Sequence, residues 1–198
     1  MGFQINPVMK TRFYPTIQYV LFLAATFAGF SAVQAADEKI WHVKAVHPEG
    51  RLLDVKAVDK DGKLHAVKAI ESDGNLHLLD VKALVDGNRL PVKILVSDDK
   101  LAPVKAIGAD GTLYGIKAVT PEGDKLDVKG VGRSGTLTHI KALGPQGVHY
   151  GIKALSPDGR MYDIKGIKMS ADRVETKVNG VEVAAHVKAL PPVADGTK

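Results

Sequence analysis

Thirteen lysines recur along most of the chain: Lys44, Lys56, Lys68, Lys82, Lys93, Lys105, Lys117, Lys129, Lys141, Lys153, Lys165, Lys177 and Lys188. Successive gaps are 12, 12, 14 and 11, then seven of 12, then 11. A row of ammonium groups supports one kind of chemistry, the electrostatic holding of anions. What opposes it is the residue two before each lysine. That residue is an acid in five copies, Asp54, Asp80, Asp127, Asp163 and Glu175. Elsewhere it is His42, Ala66, Pro91, Pro103, Gly115, His139, Gly151 or His186. Two readings stay open. Lys and Asp alternating on one sheet face form a charge ladder that supports strand pairing and blocks unwanted edge contacts. Alternatively, the less compensated lysines form a face that binds a polyanion. On that second reading the ligand-binding candidates are Lys44, Lys56, Lys68, Lys82, Lys105, Lys117, Lys129, Lys141, Lys153 and Lys165.

Other reactive groups are sparse. There is no cysteine, which excludes thiol catalysis, thiolate zinc sites and a disulfide framework. The seven histidines (His42, His47, His65, His77, His139, His149, His186) include no close His-x-His pair and no HExxH, so no metal site is expected. Ser134 sits in Gly132-Arg133-Ser134-Gly135, a turn composition and not a nucleophile elbow. Asp73-Gly74 and Asp110-Gly111 lack the full calcium-loop pattern. No catalytic constellation and no cofactor motif is present. The chain carries 27 basic and 22 acidic residues. Only Lys10 and Arg12 of these precede residue 36, so the remainder is +3, too weak for a nucleic-acid surface.

The elements that must position these lysines follow from the same period. The unit is Val/Ile-Lys-Ala-aliphatic. Val or Ile precedes the lysine in all copies but one, where Thr176 stands, and Ala follows it except at Ile94, Gly130, Gly166 and Val178. Between units lie turn sequences: HPEG at 47–50, DKDG at 59–62, ESDG at 71–74, TPEG at 120–123 and SPDG at 156–159. Pro, then an acid, then Gly suits a type I turn closing a three-residue hairpin loop, and Asn179-Gly180 suits a two-residue hairpin. What remains per unit is about seven β-prone residues, so the prediction is an all-β antiparallel meander of 12 or 13 short strands.

Hairpin symmetry then fixes register. The 47–51 turn places Lys44 opposite Asp54, Ala45 opposite Leu53, Val46 opposite Leu52 and Val43 opposite Val55. The other turns place Lys153 opposite Asp163, Ala154 opposite Tyr162 and, with one bulge residue, Lys117 opposite Asp127. Strand alternation puts Val/Ile, the following Ala and residues such as Trp41, Leu53, Tyr114, Leu126, Tyr150 and Tyr162 on one apolar face. The expected architecture is a shallow closed barrel around a narrow apolar channel, with a flattened two-sheet sandwich as the alternative.

The first 35 residues differ from the rest. Lys10 and Arg12 precede an apolar run from Ile17 to Val33, and small residues follow before Ala36. This is the pattern of a secretory signal peptide cut after Ala35. All five phenylalanines lie in it. The expected organisation is a signal peptide at 1–35, a β-repeat domain at 36–190 and a polar tail at 191–198.

Residues 40–190, with their VKA(V/I)-x-x-DG-x-L-x-DVKA pattern, resemble uncharacterised exported bacterial repeat proteins, a resemblance that implies no activity. More loosely, many short hairpins around an apolar channel resemble the β-flower barrels, themselves similar to lipid-binding Tubby-type domains. Together these readings give an exported protein of the periplasm or cell exterior, not membrane-spanning after cleavage. It is expected to be a non-enzymatic binding module for an amphiphilic or anionic ligand such as a lipid or glycan. The alternative is a structural or adhesive surface protein without a small ligand.

Overall fold

The computed structural model describes residues 1–2, 38–72, 75–168 and 177–192. The expected leader and its cleavage site, the 73–74 part of one turn, Glu175, Thr176 and the end of the tail lie outside the described residues. Ala36–Lys198 forms one compact unit.

That unit is built from β1 (Ile40–Val46), β2 (Leu52–Val58), β3 (Leu64–Ser72), β4 (Asn75–Val85), β5 (Asn88–Leu95), β6 (Ala102–Ile107) and β7 (Leu113–Val119). It continues with β8 (Lys125–Ser134), β9 (Leu137–Leu143), β10 (His149–Leu155), β11 (Met161–Ile167), β12 (Lys177–Val178) and β13 (Val181–Leu190). One 3₁₀ turn, Pro145–Gly147, is the only helical element among the described residues. The fold is all-β, antiparallel and closed into a barrel, as the period predicts; it is not an open or flattened sandwich.

The turns form as their composition requires. In the 47–51 loop the His47 N–H donates to the Arg51 carbonyl and the Gly50 N–H to the His47 carbonyl, both at 2.8 Å. The loops opening at Asp59, Gly108, Thr120 and Ser156 repeat the same two bonds. Gly50, at φ 89°, takes the left-handed position that a Cβ would strain. Asp86-Gly87 and Asn179-Gly180 form two-residue turns with positive φ at both positions.

Many hairpin ladders are only three residue pairs long, and this decides the architecture. β1 pairs with β2 only from Lys44 to Val46, as predicted, and stops there. Val43 lies opposite Ala154 of β10, not opposite Val55. Each of the twelve long strands uses one edge for a ladder with a single strand, consecutive in the chain for β3–β4, β5–β6 and β8–β9 and more remote for the rest, and splits the other edge between two partners. The split edges close into triangles of three strands. One triangle holds β1, β2 and β3. The second holds β6, β7 and β8, and the third β9, β10 and β11. The fourth joins β4 and β5 to β13.

Six full ladders then join the triangles: β1–β10, β2–β7, β3–β4, β5–β6, β8–β9 and β11–β13. Every triangle is linked once to each of the other three, which is the connectivity of a tetrahedron. The first and last strands never pair; β1 closes on β2, β3 and β10, and β13 on β4, β5, β11 and β12. The 120–124 turn needs no bulge, because Thr120 and Asp124 flank it symmetrically and Lys117 falls opposite Asp127.

The apolar face points inward. Trp41, Val43 and Ala45 of β1 are buried, and the same alternation holds in the other long strands. Each of those strands sends one Val or Ile to the centre, from Val43 of β1 to Val187 of β13. They leave a central cavity of only about 10 Å³. That is at the lower limit for a single water, and its walls are wholly apolar. The expected channel is therefore absent. Staves standing side by side would have left one, but strands paired in triangles curve the sheet in both directions and close it at every end.

Candidate functional site

The lysines point outward and are partly covered. Their side chains are between 18% and 31% exposed in seven of the repeat copies, so the stems cover backbone while the ammonium groups reach solvent. Register places them in two relationships. Across each of the six full ladders a lysine faces a lysine: Lys44–Lys153, Lys56–Lys117, Lys68–Lys82, Lys93–Lys105, Lys129–Lys141 and Lys165–Lys188. Three of these pairs, Lys44–Lys153, Lys56–Lys117 and Lys165–Lys188, join strands that no single turn connects, and facing like charges are unfavourable. Across the triangles each lysine faces the residue two before another lysine of the same triangle, as the hairpin register predicts for Lys44, Lys117 and Lys153.

Each triangle therefore gathers three lysines around one aspartate. In β1–β2–β3, Asp54 binds Lys44 and sits 3.3 Å from Lys56. In the β4–β5–β13 triangle, Asp80 binds Lys188 and sits 3.2 Å from Lys82. Asp163 binds Lys153 and lies 3.5 Å from Lys165, and Asp127 binds Lys117. These bonds hold all four carboxyls below their ordinary value of 3.8. For Asp54 and Asp127 the hydrogen bond from Lys44 or Lys117 is the largest cause. For Asp80 and Asp163 burial pushes upward, and the paired lysines outweigh it.

The third lysine of each triangle has a different neighbour. Lys68 donates to His42 Nδ1 at 2.9 Å, and Lys93 contacts His186. Lys105 and Lys141 lie over Gly115 and Gly151, where a Cβ would come within 3.7 and 3.8 Å of the ammonium nitrogens. Burial and then the two sister lysines lower the ammonium pKa of Lys68, Lys105 and Lys141. The three cations of a triangle thus sit within one another's field, and Asp54, Asp127 and Asp163 offset it only in part.

Twelve lysines against four aspartates leave the triangles at +8, while the chain after residue 35 totals +3. The positive charge is segregated onto the triangles. The ten candidate lysines all belong to this set, together with Lys93 and Lys188. Lys177, in the copy with Thr176 and Val178, does not; it lies on β12, 3.7 Å from Glu182. Among the described residues no group of three His, Asp or Glu side chains is placed to hold a metal ion. No helix among them is long and apolar enough to cross a membrane.

Residues 37–190 match DUF7486, a family of unknown function. The chain belongs to that family. Neither the curated proteins nor the solved structures supply a match. For this DUF7486 chain, then, any functional reading rests on its own geometry.

One grouping went unread in the sequence although a signal for it exists. Triangles are made mostly of three consecutive strands, so equivalent positions recur every 36 residues: Tyr114 and Tyr150, Leu126 and Tyr162, Gly115 and Gly151, Asp127 and Asp163. A search at three times the basic period would have grouped the lysines in threes.

Proposed function

We propose that this chain is an exported, non-enzymatic binding module of the cell envelope or exterior that holds an anionic ligand on its outer lysine triads. The carrying observation is the composition of each triangle, three ammonium groups to one carboxylate. The ligand would be a lipid headgroup or glycan bearing phosphate, sulfate or carboxylate. The packed centre disfavours an amphiphile swallowed whole, so the reading narrows from the interior to the surface. Export rests on the leader-like composition of residues 1–35. A structural or adhesive role is the second reading, supported by the Lys–Asp bonds of all four triangles, which tie neighbouring strands together.

The test is binding to vesicles of phosphatidylcholine with and without phosphatidylglycerol, and to a sulfated heparin fragment, at low and moderate salt. The expected result is binding to the anionic partner that weakens as salt screens it, with a clear loss in Lys105→Gln/Lys117→Gln/Lys129→Gln. No binding to either anion at low salt overturns the proposal.

A further inference from the structure

The tetrahedral pairing creates a second set of special places. Between the triangles lie four hubs where three triangle corners meet. At each corner the residue after the lysine pairs with a residue three before a lysine, as in Ala45–Leu53, Ala106–Tyr114 and Ala154–Tyr162. Following the ladders groups these plug residues in threes. One hub takes Trp41, Leu79 and Tyr162, with the Trp41 and Tyr162 rings 4.5 Å apart. A second takes His65, Leu90 and Tyr114, with His65 edge-on to Tyr114 at 5.9 Å. A third takes Leu53, Leu126 and Tyr150.

The fourth hub breaks the pattern at all six positions. Its plug residues are small: Ala102, Thr138 and Ala185. The three residues after its lysines are Ile94, Gly130 and Gly166, the departures from Ala in the long strands. A register shift between Val183 and Ala185 adds Ala184 as an extra residue at the same place. The result is a pocket of about 310 Å³, at the small end of ligand sites. Its apolar floor includes the buried core residues Ile94 and Val183, and Val96 stands at its edge 56% exposed. Arg133 and Lys168 line it, and among the described residues no acid does. Depressions over two other hubs contain carboxylates, Asp86 and Asp110 in one and Asp54 in the other. Among the described residues the fourth hub joins an apolar floor to cations, where those two depressions carry carboxylates.

We infer that this hub is a binding site for a small single-chain amphiphile with an anionic head. The tail enters over Ile94 and Val183, and the head meets Arg133 and Lys168. A carboxylate and a phosphate monoester share this chemistry. The site is separate from the lysine triads and does not depend on the reading proposed for them.

Octanoate, octyl phosphate and octanol are the probes, titrated into the chain by calorimetry and followed by NMR. The expected result is saturable binding of octanoate or octyl phosphate at one site per chain, about tenfold tighter than octanol. The preferred head identifies the ligand type. Thr138→Tyr, which installs the plug that Tyr150 supplies elsewhere, should abolish binding. Arg133→Ala/Lys168→Ala changes two exposed residues and should erase the preference over octanol even where the tyrosine variant does not fold. Lys105→Gln/Lys117→Gln/Lys129→Gln should leave octanoate binding unchanged, so failure here and failure of the triad reading are distinguishable. Absence of saturable binding by both anions, or an undiminished preference in the Arg133/Lys168 variant, overturns the inference.

Discussion

The fourth hub contains a packing exchange whose size can be worked out. Three hubs place three alanines after their lysines. This one places Ile94, Gly130 and Gly166, so one large residue occupies the room that two glycines leave. A Cβ on Gly166 would run into Ile94 Cδ1 and lie 3.2 Å from Thr138 Cβ and 3.3 Å from Ala185 Cβ. A Cβ on Gly130 would lie 3.1 Å from Thr138 Cγ2 and 3.6 Å from Ile94 Cδ1. Neither glycine has positive φ, so the backbone accepts alanine at both. Overpacking costs about 1–3 kcal/mol, so Gly166→Ala alone should destabilise by about that much and Gly130→Ala somewhat less. Ile94 is 1% exposed, and Ile94→Ala should cost about 2–5 kcal/mol through lost burial and the cavity left behind. Added independently, the three changes would remove at least about 3 kcal/mol.

The triple variant Ile94→Ala/Gly130→Ala/Gly166→Ala should behave otherwise. It removes three carbons and restores two, a net loss of about one methylene, or about 0.8 kcal/mol. The two Gly→Ala changes also restrict the unfolded chain, a gain of about 0.4–1 kcal/mol each where the backbone is compatible. The triple should therefore lie within about 1 kcal/mol of the parent, a coupling of several kcal/mol that only shared packing produces. Urea unfolding, with the slope m unchanged across the set, measures it. A triple variant as unstable as the sum of its parts would refute the hub grouping.

Two further outcomes concern the outer face. The Lys68 ammonium, and secondarily burial, holds the His42 imidazole below its ordinary 6.5. Protons therefore prefer the unfolded chain at this site, and its contribution to stability is present above pH 6.5 and lost as pH falls through the folded value. NMR titration should show a midpoint below 6.5 that rises in Lys68→Met. Asp80, lowered by Lys188 and Lys82 against its burial, contributes stability present above 3.8 and lost as pH falls through its folded value. Asp80→Asn should therefore lower the urea midpoint at pH 7 much more than at pH 2–3.

Much of the fold was legible because the period fixes local structure three ways at once. It sets strand length, it places Gly50, Gly123 and Gly159 where hairpin loops need positive φ, and it alternates Val43 inward with Lys44 outward. The hairpin pairs Lys44–Asp54, Lys117–Asp127 and Lys153–Asp163 follow directly. The long-range ladders were not legible. Val43 facing Ala154 and Lys56 facing Lys117 are choices among near-identical copies, and near-identical strands carry no local code for which copy pairs with which. The lysine triads were half visible: their members stood out, but their grouping needed register. Ile94, Gly130 and Gly166 also stood out as exceptions, and they lie 36 residues apart. Their joint meaning appears only when a three-strand triangle is known to be the building block.

The closed pairing also explains where the chain is irregular. Three triangles are made from consecutive strands, but the fourth takes β4 and β5 from the first half and β13 from the end. The chain must therefore pass through β6 to β11 before supplying the strand that closes β4 and β5. The extra copy around Lys177 falls at this return, outside the twelve paired positions, and so does the short hairpin β12–β13. The hub built around Ile94, Gly130 and Gly166 touches the same fourth triangle and the strand that completes it. Among the described residues the twelve long strands have both edges paired, so only the two-residue β12 keeps an open edge to protect. The barrel's stability is distributed over twelve similar corners, and departures at one corner cost only a fraction of the whole. That tolerance is greatest where the chain already breaks its own period to close. The bulge at Ala184 sits at the corner where β13 completes that triangle, whereas the other small plugs, Ala102 and Thr138, come from triangles of consecutive strands, so the departures at this hub go beyond what closure alone requires.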